Sequence, residues 1–267
     1  MSKYVQAYEM NTGKKAPILA SNLDELFSKI ENDSELPPRG QQAVDAGFTA
    51  HTLSDSSENP AIFKYYRWII SNMLDDHPVK ELSARLIGTS FTSANVFQTD
   101  LPQPVTLNQW QMERIQSIKL MTDKAIILEN NGVFIFLHKL HPNWPLINQS
   151  GNDFNSANNQ IMLELKKENL RMSYLGDIDS SGIQILDHLV NLLDGPDSLL
   201  EIQTPEQVLD WLVRFGKKNI QRTKEIQVNN PTLVKEMSSI HTLSKFVEQE
   251  QLIDDYETLI EKWLSKK

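Results

Sequence analysis

Asp177 and Asp179 stand two residues apart at the end of a short apolar run, Arg171-Met-Ser-Tyr-Leu-Gly176, and Ser-Ser-Gly182 follows them. In an extended chain a spacing of two turns both side chains to the same side. Like charges held together disfavour ionisation unless a cation or a proton lies between them. Gly176 and Gly182 bracket the pair, and a missing side chain lets backbone approach a ligand or a neighbouring turn. A second apolar run, Lys124-Ala-Ile-Ile-Leu-Glu129, also ends on a carboxylate. Two strands that each deliver acid at the C-terminal end form the pattern of a divalent-cation site in an α/β domain. Asp-x-Asp is also ordinary turn chemistry, and Ser180 or Ser181 would serve as the N-cap of a helix beginning at Gly182. Glu129, in the matching position of the earlier strand, adds weight to the cation reading and leaves both open.

The elements that must position these acids follow from the apolar pattern. A strand over 124–129 precedes an apolar helix from Gly132 to Leu140, and a short strand is expected near 145–149. A helix from about Asn155 to Glu168, a strand over 171–176 and a helix from Gly182 to Leu193 complete the alternation. Strand and helix repeating with short links predict a parallel sheet flanked by helices, with ligand sites at the carboxyl ends of the strands. Upstream, Thr106 reads as the N-cap of a helix carrying Leu107, Trp110, Ile115 and Ile118. Downstream, Thr204-Pro205 opens a helix through Trp211 and Phe215. From Ser244 a long amphipathic helix is expected, with Phe246, Ile253, Tyr256, Ile260 and Trp263 on its buried side.

The N-terminal part is expected to be mostly helical. Leu23, Leu26, Phe27 and Ile30 fit a short helix, and Ile62, Tyr65, Tyr66, Ile69, Ile70 and Met73 make an apolar stripe, followed by a helix over 80–87. Residues 1–60 are sparse in apolar side chains and are expected to order little backbone. The proline-rich joint Leu101-Pro-Gln-Pro104 divides a helical region, 1–104, from the α/β domain, 105–267.

Composition narrows the function classes. The 267 residues are 40% hydrophobic and 23% charged, which is ordinary for a globular chain. No cysteine is present, which excludes a disulfide framework and a thiolate zinc site. No signal-peptide core opens the chain and no apolar run nears the roughly 20 residues that span a bilayer, so a cytoplasmic protein without a membrane partner is expected. The net charge of −9, from 26 basic and 35 acidic residues, argues against a protein that coats nucleic acid. A local basic run remains: Arg214, Lys217, Lys218, Arg222 and Lys224, to be read as a solvated helix face or as a contact surface. His138 and His141 flank the end of an apolar helix, where an imidazole suits the negative helix terminus better than a zinc site without further ligands. Tyr65 and Tyr66, on the apolar stripe, read as core.

Glu129-Asn130 at a strand end, Ser150-Gly151 after the next strand and Gly176-Asp-Ile-Asp-Ser-Ser-Gly182 together resemble a Toprim domain. The flavour is that of the C-terminal part of the nuclease subunit of Wadjet (SMC-like) plasmid-defence systems, distantly similar to the A subunit of topoisomerase VI. The resemblance covers about 105 to 265, including Pro104-Val-Thr-Leu-Asn-Gln and Glu248-Gln-Glu250. It implies a Toprim-like parallel sheet and a Mg²⁺ or Mn²⁺ site that cuts DNA phosphodiesters. Carried over residue by residue, Glu129 is the strand-end glutamate and Asp177 and Asp179 are the Asp-x-Asp pair, the three expected to hold the metal and to be catalytic, and the family's late Gln-Glu pair falls on Gln249-Glu250. Glu248 and Glu250 cannot share one face of a helix, and Glu250, on an inward stripe with Phe246 and Ile253, is the expected catalytic participant of the two. Ser150, Gly151, Arg214, Lys217, Lys218 and Arg222 are the candidates for contact with double-stranded DNA. The partners implied are the subunits of an SMC-like ATPase complex, with a homodimer among the arrangements allowed. The family's longer N-terminal region is represented here by only about a hundred residues, as read from the boundary at 104.

Two other readings stand beside it. A phosphatase of the haloacid dehalogenase kind also uses a strand-end Asp-x-Asp, but with Thr or Val where this chain has Ser181, and on its first strand. A non-catalytic Toprim-like subunit that docks on an SMC-type partner fits the acidic balance.

Overall fold

The computed structural model describes residues 2–81, 90–112, 114, 119–149, 156–195 and 197–266. The chain divides into two compact units, Met1–Gly88 and Thr89–Lys267. The division therefore precedes the expected one at 104/105, because the proline-rich joint is the link inside a β-hairpin of the second unit.

The first unit is helical: α1 (Lys3–Thr12), α2 (Asp24–Glu31), α3 (Arg39–Asp45) and α4 (Pro60–Asn72). Asn59 caps α4 from in front of Pro60. Leu23, Phe27 and Ile30 are fully buried with Tyr65, Tyr66 and Ile69 of α4. Phe27 meets Tyr65 at 5.9 Å between ring centroids, and Tyr8 of α1 meets Tyr65 edge-on at 5.1 Å. Tyr65 and Tyr66 are core residues, as their stripe predicts. The expectation that residues 1–60 order little backbone is corrected: the missing apolar partners come from α4, later in the chain. The helix expected over 80–87 falls mainly on 82–89, outside the described residues.

The second unit is built on a five-stranded sheet in the order β2-β1-β4-β3-β5. Its strands are β1 (Ser90–Ala94), β2 (Val105–Asn108), β3 (Lys124–Leu128), β4 (Leu146–Asn148) and β5 (Arg171–Leu175). β4, β3 and β5 are parallel, as the alternation predicts, and β1 and β2 add an antiparallel hairpin beside β4. Every residue of β3 is buried, so both faces of the sheet are covered there, which is why Lys124-Ala-Ile-Ile-Leu reads as a continuous apolar run. Lys124 is the exception in type, and its ammonium donates to the carbonyls of Trp263, Leu264 and Lys266 at the end of the last helix. Those are the acceptors a helix C-terminus leaves unsatisfied.

Thr106 is not a helix cap. It lies in β2, its hydroxyl 2.9 Å from that of Thr92 across the hairpin, and the short helix α5 (Gln109–Met112) starts after it. A cross-strand Thr–Thr pair between β-branched residues outweighs the local capping signal. Ile115 and Ile118 lie outside the described residues.

Helices α6 (Asn131–Leu140), α7 (Ser156–Lys167), α8 (Ser180–Leu192) and α9 (Pro205–Arg214) follow, with Thr204 accepting from Gln207 N as the cap of α9. Two-residue strands β6 (Lys217–Lys218) and β7 (Lys245–Phe246) pair antiparallel around α10 (Pro231–Leu243). The chain closes with a 3₁₀ turn over Gln249–Gln251 and α11 (Ile253–Ser265). The long helix expected from Ser244 is thus split into a strand, a turn and a shorter helix. Ser244 has φ of 52°, and the strand pairing with β6 takes residues that a helix would have used. No helix among the described residues is long and apolar enough to cross a membrane.

Candidate functional site

Parallel register brings the acid-bearing strand ends together. Leu128 of β3 pairs with Leu175 of β5 and with Asn148 of β4, so the residues after them emerge at one edge of the sheet. Glu129 N donates to Leu175 O at 3.2 Å, which places Glu129 beside the Gly176–Asp177 turn.

Glu129 is half-buried beside this turn. Its Oε2 accepts from the Tyr174 hydroxyl at 2.9 Å and from Asp177 N at 3.0 Å. Burial, reinforced by the charge of Asp177, pushes its pKa up to about 7 against the pull of those two hydrogen bonds. A Cβ on Gly182 would collide with the Asp177 carbonyl oxygen, so this bracket residue is a packing requirement of the turn.

Asp177 and Asp179 meet at a common partner. Asp177 Oδ1 accepts from Gln249 N at 2.9 Å, and its Oδ2 lies 2.8 Å from Arg222 Nη2. Asp179 Oδ1 accepts from Gly182 N at 2.9 Å as the N-cap of α8, while its Oδ2 takes Arg222 Nε at 2.7 Å. The helix therefore begins at Ser180, capped by Asp179 and not by a serine. The two Oδ2 atoms grip adjacent donors on one edge of a single guanidinium, a geometry that holds them close. Burial comes first among the causes that raise the Asp177 pKa, followed in that direction by the charges of Asp179 and Glu250; Gln249 N and Arg222 act the other way.

Of the late Gln-Glu pair it is Gln249 that lies at the centre of the site. Gln249 is fully buried and ties three parts of the site: its N–H holds Asp177, its Oε1 accepts from Asn130 N at 2.8 Å, and its Nε2 donates to Leu175 O at 2.9 Å. Glu250 is exposed in the 3₁₀ turn and accepts from Asn130 Nδ2 at 2.7 Å. The inward helical stripe on which it was expected does not form, because Phe246 belongs to β7. Glu248 completes the set, 3.0 Å from Arg222 Nη1 and 3.4 Å from Lys217 Nζ.

Deeper still, Gly176 N donates to Gln203 Oε1 at 3.3 Å, and Gln203 Nε2 donates to the fully buried Glu236 at 3.3 Å. Burial drives the Glu236 carboxyl up to about 8, against the Gln203 hydrogen bond. Nothing in the local sequence marks Gln203 or Glu236, whose signal is polar character at buried positions, visible only in the fold, and Arg222 is marked there only as one of the basic run.

The basic run does not lie on one helix. Gly216 ends α9 where a Cβ would strike Leu212 O, and the residues after it are strand and turn. Arg214 bridges Asp210 and Asp255 and stacks over Phe215, Lys217 faces Glu248, and Lys218 is exposed. Ser150 and Gly151 lie outside the described residues. His141 caps α6, stacks on Trp144 at 3.7 Å and meets Glu257 at 2.6 Å, in keeping with the packing role read from its position.

Among the described residues no three acidic or histidine side chains form a cage for a metal ion. Asp177 and Asp179 nevertheless suit a hard divalent cation in donor type, offering two carboxylate oxygens at a position where a cationic group already sits. None of the curated proteins matches this chain. A family model described as "Wadjet protein JetD, C-terminal" matches residues 87–260, well over half of the chain and nearly all of the second unit. The sheet, the strand-end acids and the Gln249 tie all fall inside that match, and the chain belongs to the Wadjet JetD C-terminal family.

Proposed function

We infer that this chain is a DNA-cleaving subunit of a plasmid-defence assembly of the Wadjet kind, acting with Mg²⁺ or Mn²⁺ on double-stranded DNA and alongside an SMC-like ATPase complex. The observation that carries the reading is the pair of Oδ2 atoms, from Asp177 and Asp179, turned onto one shared cationic position at a strand-end edge. Asp177 and Asp179 are the residues that would hold the metal. When bound, a divalent cation polarises a phosphodiester and lowers the pKa of its water. Glu129, with its pKa near 7, is suited to holding a proton at neutral pH and releasing it to a leaving oxygen. Gln249 keeps the Glu129–Asn130 and Asp177 turns in fixed relation, so neither acid depends on its own loop for position.

The test is plasmid nicking or linearisation with Mg²⁺ and with Mn²⁺, comparing wild type with Asp177→Asn. Metal-dependent cleavage lost in the variant supports the reading. Cleavage unchanged by the variant, or none by wild type in the presence of its partner subunits, overturns it. The second reading, a non-catalytic subunit of an SMC-type complex, is favoured by the fact that an arginine engages both aspartates. The phosphatase reading finds no support, since the acidic pair follows the fifth strand in chain order rather than the first.

A further inference from the structure

Arg222 is the best-held side chain of the site, and the chemistry above gives it no part. Its backbone is fastened at several points. Its carbonyl accepts from Ser180 N at 2.9 Å, its N–H donates to Asn219 Oδ1 at 3.2 Å, and the Lys224 carbonyl accepts from Ser180 Oγ at 2.5 Å. The guanidinium lies over the Phe246 ring, 4.1 Å from its centroid, and spends its three nitrogens on Asp179, Asp177 and Glu248. The loop is therefore anchored while the head sits at the end of a long side chain that is 28% exposed. Rotation about the side-chain bonds alone can carry the head away from the carboxylates.

Charge favours an exchange. One guanidinium faces Asp177, Asp179 and Glu248, and among the described residues only Glu248 has a second cationic partner, Lys217. Three carboxylates set against Arg222 and Lys217 still leave a net negative site, which a divalent ion neutralises better than a monovalent one. The exchange is also obligatory. A metal ion bound to both Oδ2 atoms needs the position that Nε and Nη2 of Arg222 now fill, at 2.7 and 2.8 Å from them.

We propose that Arg222 is an internal counter-cation that occupies the Asp177/Asp179 position in the free chain and must swing off it before a divalent metal ion can bind. The inference rests on the cation-site reading given above. Binding competence is then set by the fraction of molecules with Arg222 released, and the apparent metal affinity is lowered by that fraction.

The experiment is a Mn²⁺ titration of the full chain, followed by electron paramagnetic resonance of the free ion and by calorimetry. It compares wild type, Arg222→Gln, Glu248→Gln and Asp177→Asn. Arg222→Gln is expected to bind Mn²⁺ about tenfold or more tightly than wild type. Glu248→Gln, which loosens one anchor of the arginine and leaves both aspartates intact, should tighten binding by about two- to fivefold. Asp177→Asn should lose the site. Equal affinity in wild type and both Arg222→Gln and Glu248→Gln, with Asp177→Asn still defective, overturns the counter-cation role and leaves the metal reading standing. No binding in any of the proteins removes the metal reading and the inference with it. Should Arg222→Gln fail to fold, Glu248→Gln decides: tighter binding supports the role and unchanged binding overturns it.

Discussion

A Cβ added to Gly176 would lie 2.5 Å from Glu129 Oε2, so the glycine and the glutamate are fitted to each other across the two strand ends. The same Cβ would come within 2.6 Å of the Tyr174 hydroxyl, which donates to that carboxylate. Gly176→Ala must therefore displace Glu129, Tyr174 or the turn itself. A destabilisation of roughly 1–3 kcal/mol is expected in urea unfolding, together with loss of any cleavage that depends on Glu129. A change below about 0.5 kcal/mol would show that the pocket gives way without strain.

Gln249→Ala and Glu250→Ala should part company. The first strips a buried amide from Asn130 N and Leu175 O, leaving both without their partner at a cost of roughly 2–4 kcal/mol. Glu250 is exposed, and its removal should change stability by less than about 0.5 kcal/mol. Thermal and urea unfolding of the two variants side by side checks this. Equal effects would contradict the assignment of the central role to Gln249.

Repulsion among clustered carboxylates alone would make Asp177 removable at little cost. Arg222 and Gln249 N alter that expectation, since each loses a partner in Asp177→Ala. A loss of roughly 1–3 kcal/mol is expected for alanine. Asn keeps an oxygen for Gln249 N and discards a charge whose ionisation the site disfavours, as the raised pKa indicates. Asp177→Asn should therefore sit within about 1 kcal/mol of wild type near neutral pH. If alanine and asparagine destabilise equally, the Gln249 hydrogen bond is not what holds this turn.

Glu236 should make stability fall as pH rises. Its folded pKa of about 8 exceeds the value near 4.5 of an unfolded glutamate, so the folded chain binds the extra proton between those values. Its contribution is complete below about pH 4.5 and is lost as the pH passes through 8, a change on the order of a few kcal/mol. Glu236→Gln retains the shape and an acceptor for Gln203 and should flatten that slope. Glu129, with a pKa near 7, adds a slope of the same sign that ends lower. Urea midpoints measured from pH 5 to 9 in wild type and Glu236→Gln test this, and parallel curves would count against a protonated Glu236.

Much of the frame around the site was legible in the sequence. A continuous apolar run such as Lys124 to Leu128 can only be a strand covered on both faces, and Thr204-Pro205 or the stripe from Ile62 to Ile69 specifies a helix by local rules. The acids at the ends of β3 and β5 follow from their position after such runs. The tertiary structure alone decided what those acids face. Arg222 reaches Asp179 across 43 residues and Gln249 reaches Asn130 across 119, partnerships made by packing and register with no local pattern to announce them. The same holds for the hairpin that claimed Thr106, and for α4, which supplied the core that residues 1–60 lack on their own. Local propensity fixes which backbone a segment prefers over a few residues. Which polar groups share a buried edge depends on contacts distant in sequence, and there the favourable term is pairing charges and donors that would otherwise be buried alone.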